Sequence, residues 1–227
     1  MRIAYVSYGN NVYDHRFLAK MVERGHAPTL ISYWPGDVDF HMDHVEFIHW
    51  DPRFPRGAGV LLRHLRPLFW AYHLRRTLEC IQPDVLHTGY VQYSGFAGAL
   101  CGFHPVLLMP WGSDILLDSG RSFYHSVVTR FTIIRADMIT CDCELVKNRI
   151  VDLTGYPEAR IVIFPWGIDL GVFKPEDRPS KTRRELGWED KRVLIMTRKF
   201  DKPVYGIEYF LHALPEVVRQ CPETRVV

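Results

Sequence analysis

The sequence predicts an α/β protein: a doubly wound, Rossmann-like parallel sheet followed by an incomplete second unit of the same kind. Three observations carry that prediction. Short, continuously apolar runs alternate with amphipathic stretches, the pattern of strands covered by helices on both faces. The chemically unusual residues follow these runs, where ligands of such sheets bind. A stretch rich in Lys, Arg, Glu, Asp and Pro, from Gly171 to Lys191, separates a first series of elements from a second.

Strands are expected at Ile3–Ser7, Pro28–Ser32, Val45–His49, Val85–Thr88, Val106–Met109, Met138–Cys141 and Ile161–Phe164. Helices are expected between them at His15–Arg24, Val60–Ile81, Gln92–Cys101, Ser122–Ile134 and Cys143–Leu153. Asp14 is placed to cap the first helix, and Pro67 to kink the second. Residues 1–170 then form one domain, 171–191 a linker, and 192–227 the start of another. That start comprises a strand at Val193–Thr197, a helix at Gly206–Cys221 and a further strand from Thr224. So short a second unit cannot bury its own sheet, so the isolated chain is expected to expose apolar surface and aggregate.

Composition narrows the class. The chain is 47% hydrophobic and 24% charged, as in soluble globular proteins, and its net charge of +2 supports no nucleic-acid partner. The opening Met1-Arg2-Ile3-Ala4-Tyr5-Val6 lacks the apolar core of a signal peptide. The longest apolar stretch, Ser94 to Trp111, is broken by glycines, Pro105 and Pro110. Cys80, Cys101, Cys141, Cys143 and Cys221 show no paired spacing, which suits reduced thiols in a cytoplasmic protein. His41, His44, His49, His64 and His73 lack the spacing of metal ligands.

The strand ends hold the candidate chemistry. Tyr8-Gly9-Asn10-Asn11 follows the first strand, His87-Thr88-Gly89 the fourth, and Trp111-Gly112-Ser113-Asp114 the fifth. The first loop is not Gly-x-Gly-x-x-Gly, and no Gly-Lys-Ser/Thr occurs, which disfavours dinucleotide and P-loop readings. Asp114, beside an indole and a glycine, suits either orientation of a sugar hydroxyl or an ordinary cap or turn. Arg53, Arg56, Arg63, Arg66, Arg75 and Arg76 lie among Leu and aromatic residues, with no acidic residue before Glu79. Such a segment suits either an anionic membrane surface or a helix covering the sheet. Arg198-Lys199-Phe200-Asp201-Lys202 precedes a helix, where cations and helix amides together would hold a diphosphate.

The first helix ends in Arg24-Gly25-His26, and the fourth strand is entered through Pro83-Asp84-Val85-Leu86-His87. Then come Trp111-Gly112-Ser113-Asp114, and Ala136-Asp137-Met138-Ile139-Thr140 with Glu144. Pro165-Trp166-Gly167-Ile168-Asp169 with Phe173 and Pro175, and the loop from Arg198 to Glu208, complete the series. In order and spacing these pieces resemble the family 4 retaining glycosyltransferases of GT-B fold. The corresponding family segments read Arg-Gly-His, Pro-Asp-Val-Ile-His, His-Gly-Ser-Asp and Pro-Asn-Gly-Val-Asp. Trp111 thus stands for the usual histidine and Trp166 for the usual asparagine.

The resemblance implies an N-terminal domain that holds an acceptor glycan or lipid and a C-terminal domain that holds a nucleotide sugar. Transfer would retain the anomeric configuration, without a metal or a further cofactor, the leaving diphosphate being stabilised by basic side chains and helix amides. By the same resemblance Gly9, Asn10, Asn11, His15, Trp111, Gly112 and Ser113 border acceptor and sugar, and Asp114 is the catalytic contact. Arg198 with Lys202, or else Lys199, would grip the donor phosphates, since Tyr205-Gly206 replaces the family's Lys-Gly. No histidine role transfers to Trp111. The protein is expected in the cytoplasm, at the inner face of the membrane if the Arg53–Arg76 segment docks there. The family's Glu-x7-Glu segment has no match, so the sequence is expected to be a fragment, inactive alone. The competing readings are an acceptor-binding module that needs a donor-binding partner subunit, a nucleotide-sugar 2-epimerase of the same architecture and, least favoured, a nicotinamide-dependent enzyme.

Overall fold

The computed structural model describes residues 1–9, 11–33, 40–50, 65–175, 180–201 and 203–227. It forms two compact units, Met1–Gly167 and Ile168–Val227. The first unit runs β1 (Arg2–Ser7), α1 (Val12–Glu23), β2 (Ala27–Ser32), β3 (Glu46–His49), α2 (Arg66–Ile81) and β4 (Val85–Gly89). It continues through α3 (Phe96–Cys101), β5 (Val106–Met109), α4 (Ser113–Leu116), α5 (Phe123–Arg135), β6 (Met138–Cys141), α6 (Glu144–Thr154) and β7 (Ile161–Ile163). These strands form one parallel sheet in the order β3-β2-β1-β4-β5-β6-β7. The order reverses between β1 and β4, and such a reversal opens a crevice at the carboxyl ends of the two strands.

Side-chain alternation along the central strands builds the core on both faces. Ala4 and Val6 of β1 pack with Ile31, Leu74, Leu78 and Ala97, under α2 and α3. Tyr5, between them in sequence, faces the other way and packs with Leu18 of α1, Leu30 and Met109. Leu108, Ile139 and Ile161 continue the core beneath Ile133 and Ile150. Each fully buried Leu or Ile contributes about 1.5–3 kcal/mol, so covering both faces is what stabilises the sheet.

Helix starts depart from expectation for local reasons. α1 begins at Val12, because Asn11 is its N-cap: Asn11 Oδ1 accepts the N–H groups of Tyr13 and Asp14, each at 2.9 Å. Asp14 therefore caps nothing and points inward. α2 begins at Arg66 with Leu65 as its N-cap, while residues 60–64 of the expected helix lie outside the described residues. Pro67 falls in the first turn, where no N–H partner is needed, so it produces no mid-helix kink. The helix expected at Gln92–Cys101 opens with a π turn, Val91–Gly95, before α3. A Cβ at Gly95 would come within 3.0 Å of Leu108 Cδ1, so the turn packs directly on β5.

In the second unit, α7 (Lys181–Glu185), capped by Ser180, occupies part of the expected linker. β8 (Arg192–Leu194), α8 (Ile207–Gln220) and β9 (Thr224–Val226) follow, with β8 and β9 parallel and Arg192 opposite Thr224. Among the described residues no helix is long and apolar enough to cross a membrane.

Candidate active site at the carboxyl edge of the sheet

After β1 the chain turns at Gly9, whose φ of 82° favours glycine. A Cβ there would also lie 3.2 Å from Leu30 Cδ2 and Ser32 Oγ. Asp14 secures this loop from beneath. Its Oδ2 accepts Gly9 N–H at 2.8 Å and Asn11 Nδ2 at 2.6 Å, and its Oδ1 accepts the Tyr5 hydroxyl at 2.8 Å. Burial raises its pKa, opposed by hydrogen bonds from Ser7, Tyr5 and Gly9. Asn11 is half-buried at the loop rim, and His15 is exposed on α1 with its ring 4.9 Å from Phe40. Asn10 lies outside the described residues.

Asp114 does for the loops after β4 and β5 what Asp14 does for the first. It is fully buried in α4 behind Gly112, whose φ is 90°. Oδ1 accepts the amides of Trp111 at 2.9 Å and Ile115 at 3.1 Å, and Oδ2 accepts that of Val91 at 3.0 Å. Gln92 Nε2 donates to its backbone carbonyl at 2.8 Å. Desolvation lifts the carboxyl to about 6, against the pull of the three amides. Ser113 is exposed and Gly112 buried beside it.

The two tryptophans that depart from the family pattern meet. Trp111 and Trp166 pack edge to face, with centroids 5.0 Å apart at 88°, and Tyr13 closes the corner at 4.7 Å from Trp166 and 6.4 Å from Trp111. This cluster joins α1 to the loops after β5 and β7, and Arg16 Nη1 adds a 2.5 Å hydrogen bond to Gly167 O. A Cβ on Gly89 would lie 2.5 Å from Trp111 Nε1 and 3.1 Å from Met109 O. Gly89→Ala is thus expected to displace the indole and destabilise the fold by about 1–3 kcal/mol. Adding Trp111→His to it should restore most of that loss in a urea titration, whereas equal losses in the single and double variants would contradict the packing.

Four tyrosines line the crevice. Tyr8 and Tyr33 lie 4.7 Å apart, Tyr90 and Tyr93 5.2 Å apart, and Tyr93 is close enough to Tyr8 to act on its ionisation. The Tyr90 hydroxyl donates to Asp118 Oδ2 at 2.7 Å, and Ser94 Oγ donates to the Tyr33 oxygen at 3.4 Å. Burial raises the pKa values of Tyr8, Tyr33 and Tyr90, keeping them neutral hydroxyl donors. Ring faces together with hydroxyls suit a ligand that is apolar on its faces and polar at its edges. The sequence reading missed this strip, although Tyr8, Tyr33 and Tyr90 each follow a strand directly.

His87, deep in β4, packs edge to face on Tyr5 at 5.0 Å, and its Nε2 has no hydrogen-bond partner among the described residues. Desolvation lowers its pKa to about 4. Stability linked to neutral His87 is complete above its unfolded value near 6.5 and is lost as pH falls towards 4. Stability linked to protonated Asp114 is complete below about 4 and is lost as pH rises to 6. The two slopes oppose one another. In His87→Phe the imidazole slope is absent, while the carboxyl slopes, those of Asp114 and Asp14 and the opposing one of Asp137, are shared with the wild type. The stability of this variant relative to the wild type, read from denaturant midpoints, should fall by about 2–3 kcal/mol between pH 4 and 6.5. A rise over that range would contradict the assignment.

In the second unit, Arg198 and Lys199 are exposed in the loop between β8 and α8. The Arg198 guanidinium lies 5.3 Å from the centre of the Tyr205 ring, and Gly206 at φ 65° opens α8. Lys202 lies outside the described residues.

An open parallel sheet, a glycine- and tyrosine-lined crevice at its reversal point and a second unit with a parallel strand–helix–strand are features of the GT-B fold. The sequence profile of Glycosyltransferase Family 4 matches residues 9–172, and the chain belongs to that family. A D-inositol 3-phosphate glycosyltransferase of Nocardioides sp. is 33% identical over 91 residues, covering 40% of this chain and 19% of that protein. Sucrose-phosphate synthase from Thermosynechococcus elongatus shares the fold over 100% of this chain and 61% of its own, with a TM-score of 0.74 at 16% identity. Anabaena HepE in complex with UDP and glucose matches 100% of this chain and 60% of its own, with a TM-score of 0.67 at 20% identity. A UDP-GlcNAc 2-epimerase from Neisseria meningitidis, bound to UDP-GlcNAc, gives 0.55 at 12% identity over 100% of this chain and 65% of its own. The chain therefore spans about three fifths of the length of these solved structures.

Proposed function

We propose that this chain supplies the acceptor side, and the opening of the donor side, of an enzyme that transfers a sugar from a nucleotide sugar to an acceptor hydroxyl. The observation that carries the proposal is the family match, which runs through the crevice-forming loops of the first unit. The bond from the anomeric carbon to the diphosphate breaks, and a bond to the acceptor oxygen forms on the same face, with retention. The acceptor proton leaves with the nucleoside diphosphate.

In this reading Gly9, Asn11, His15 and the tyrosine strip border the acceptor, with Trp111, Gly112 and Ser113 alongside. Asp14 and Asp114 act as positioning residues, because their oxygens are already held within the loops they order. This revises the catalytic contact expected of Asp114. Arg198 and Lys199, with the amides at the start of α8, neutralise the departing diphosphate without a metal.

The location proposed is the cytoplasm. Of the basic segment expected to meet a membrane, residues 53–64 lie outside the described ones. Within α2, Arg75 and Arg76 pair with Glu79, which leaves Arg66 without an ion pair among the described residues. One carboxylate of α2 thus stands beside two of its three arginines.

The test is product analysis by NMR after incubation with nucleotide sugars and candidate acceptors, with and without EDTA. An acceptor-dependent product of retained configuration, formed in both conditions, is expected. The epimerase likeness supplies the rival outcome: conversion of the nucleotide sugar with no acceptor present would overturn transfer.

A further inference from the structure

We propose that Asp118 is a specificity-determining residue of the crevice: its unused carboxylate oxygen accepts one hydroxyl of the acceptor sugar, and Tyr90 positions that carboxylate. The assignment rests on the acceptor reading of the crevice and names the group that selects among acceptors.

Tyr90 follows β4 directly and holds φ 54° and ψ 97°. A side chain at such angles is strained, whereas glycine adopts them readily. A π turn, Val91–Gly95, starts at the next residue, and such turns are frequent at functional sites. The surroundings enforce the strained conformation. Asp114 Oδ2 takes the Val91 amide at 3.0 Å, and Ser94 Oγ donates to the Gly89 carbonyl. Because the backbone at this position favours glycine, a tyrosine is explained by what its side chain does.

That side chain orders a carboxylate. The Tyr90 hydroxyl donates to Asp118 Oδ2 at 2.7 Å. Burial, and after it the Asp118 charge, raises the pKa of Tyr90, so the phenol remains the donor of this bond. Ser113 donates to the Tyr90 oxygen in turn. Asp118 itself is half-buried in the short turn that follows α4. Its Oδ1 has no hydrogen-bond partner, and the residue forms no ion pair, among the described residues. Asp14 and Asp114 differ in this respect, since both oxygens of each are spent on the loops they order. Of these three carboxylates Asp118 has an oxygen left for a ligand.

A carboxylate oxygen only accepts, so the ligand atom opposite Oδ1 must carry a proton. The Tyr90 and Tyr93 rings stand 5.2 Å apart on the same turn, and Tyr93 is 49% exposed. Ring faces beside a fixed acceptor match a pyranose, apolar across its faces and hydroxylated at its rim. Phosphate or carboxylate at this corner would be repelled, so any anionic group of the acceptor points away from Asp118.

NMR titration of the full chain with methyl β-D-gluco-, galacto- and mannopyranosides, followed by the monodeoxy analogues of the tightest, tests the proposal. One analogue should bind about 10- to 100-fold more weakly than its parent, the span of a hydrogen bond to a charged acceptor. In Asp118→Ala the parent should weaken to the level of that analogue, while the analogue binds as it does to the wild type. Asp118→Asn keeps the shape of the side chain and should give the same pattern at several-fold size. Tyr90→Phe, which frees the carboxylate to rotate, should also weaken the parent several-fold and spare the analogue. Equal losses for parent and analogue would reduce Asp118 to a structural role and overturn the proposal. So would deoxy analogues that all bind like the parent, or absence of binding by all three glycosides. Tighter binding of methyl 2-amino-2-deoxy-β-D-glucopyranoside than of every neutral glycoside also overturns it, assigning the carboxylate to an ammonium group. If any of these occurs while an acceptor still releases nucleoside diphosphate, the transfer reading stands without Asp118. If no acceptor releases nucleoside diphosphate, the transfer reading itself falls.

Discussion

Asp114→Ala is expected to lower the stability of the first unit by about 3–5 kcal/mol, because it leaves the amides of Val91 and Trp111, from two loops, without an acceptor in a buried site, while Ile115 keeps its bond to the Gly112 carbonyl. In a thermal melt that corresponds to a fall of about 10 °C for a unit of this size. The effect should exceed that of Asp114→Asn, whose single amide oxygen can still accept from part of the set while its N–H₂ faces a donor. The loss would also reach function: Val91 and Trp111 belong to loops that border the crevice, so acceptor binding should weaken even where the variant stays folded. A change below 1 kcal/mol would show that the loops hold themselves.

Arg198→Ala is expected to lower transfer by about 100- to 1,000-fold while the melting temperature stays unchanged. The side chain is exposed, and its contact with Tyr205 is a weak one, so little stability depends on it. Its proposed value lies in the transition state, where the diphosphate gathers charge as the sugar departs. Arg198→Lys keeps the charge but not the planar fork, and should recover only part of the rate. Unaltered transfer in Arg198→Ala would move the phosphate contact elsewhere, with Lys199 the nearest described alternative.

Much of the fold was legible because buried parallel strands leave an unmistakable trace. Val106–Met109 and Met138–Cys141 were expected within the bounds the structure gives them, since both of their faces are covered and every residue is apolar or small. The order of the strands was not legible, since nothing local to β1 says that β4 will lie beside it.

Helix starts were less legible for a related reason. Asn11 and Asp14 are equally good caps by type, and the choice between them is made by Tyr5 and Gly9, which draw Asp14 inward. Of the site, the resemblance placed the loops but not the roles of their carboxylates. Asp114 reads as a sugar contact or as a cap or turn residue, and the three amides around its buried carboxylate are seen only in the structure. Trp111 and Trp166, 55 positions apart in the numbering, each read alone as a lost histidine or asparagine. Their contact makes them one feature, and only tertiary structure brings them together. The tyrosines carried a signal, their repeated position just after a strand, which the motif comparison passed over because no family segment includes it.

The most direct test of the central claim, that the crevice at the carboxyl edge of the first unit receives the acceptor, is steady-state kinetics of Tyr8→Ala with acceptor and nucleotide sugar varied separately. The acceptor KM should rise several-fold while the nucleotide-sugar KM stays at the wild-type value. A raised nucleotide-sugar KM with an unchanged acceptor KM would contradict it and place the donor, not the acceptor, on the tyrosine strip.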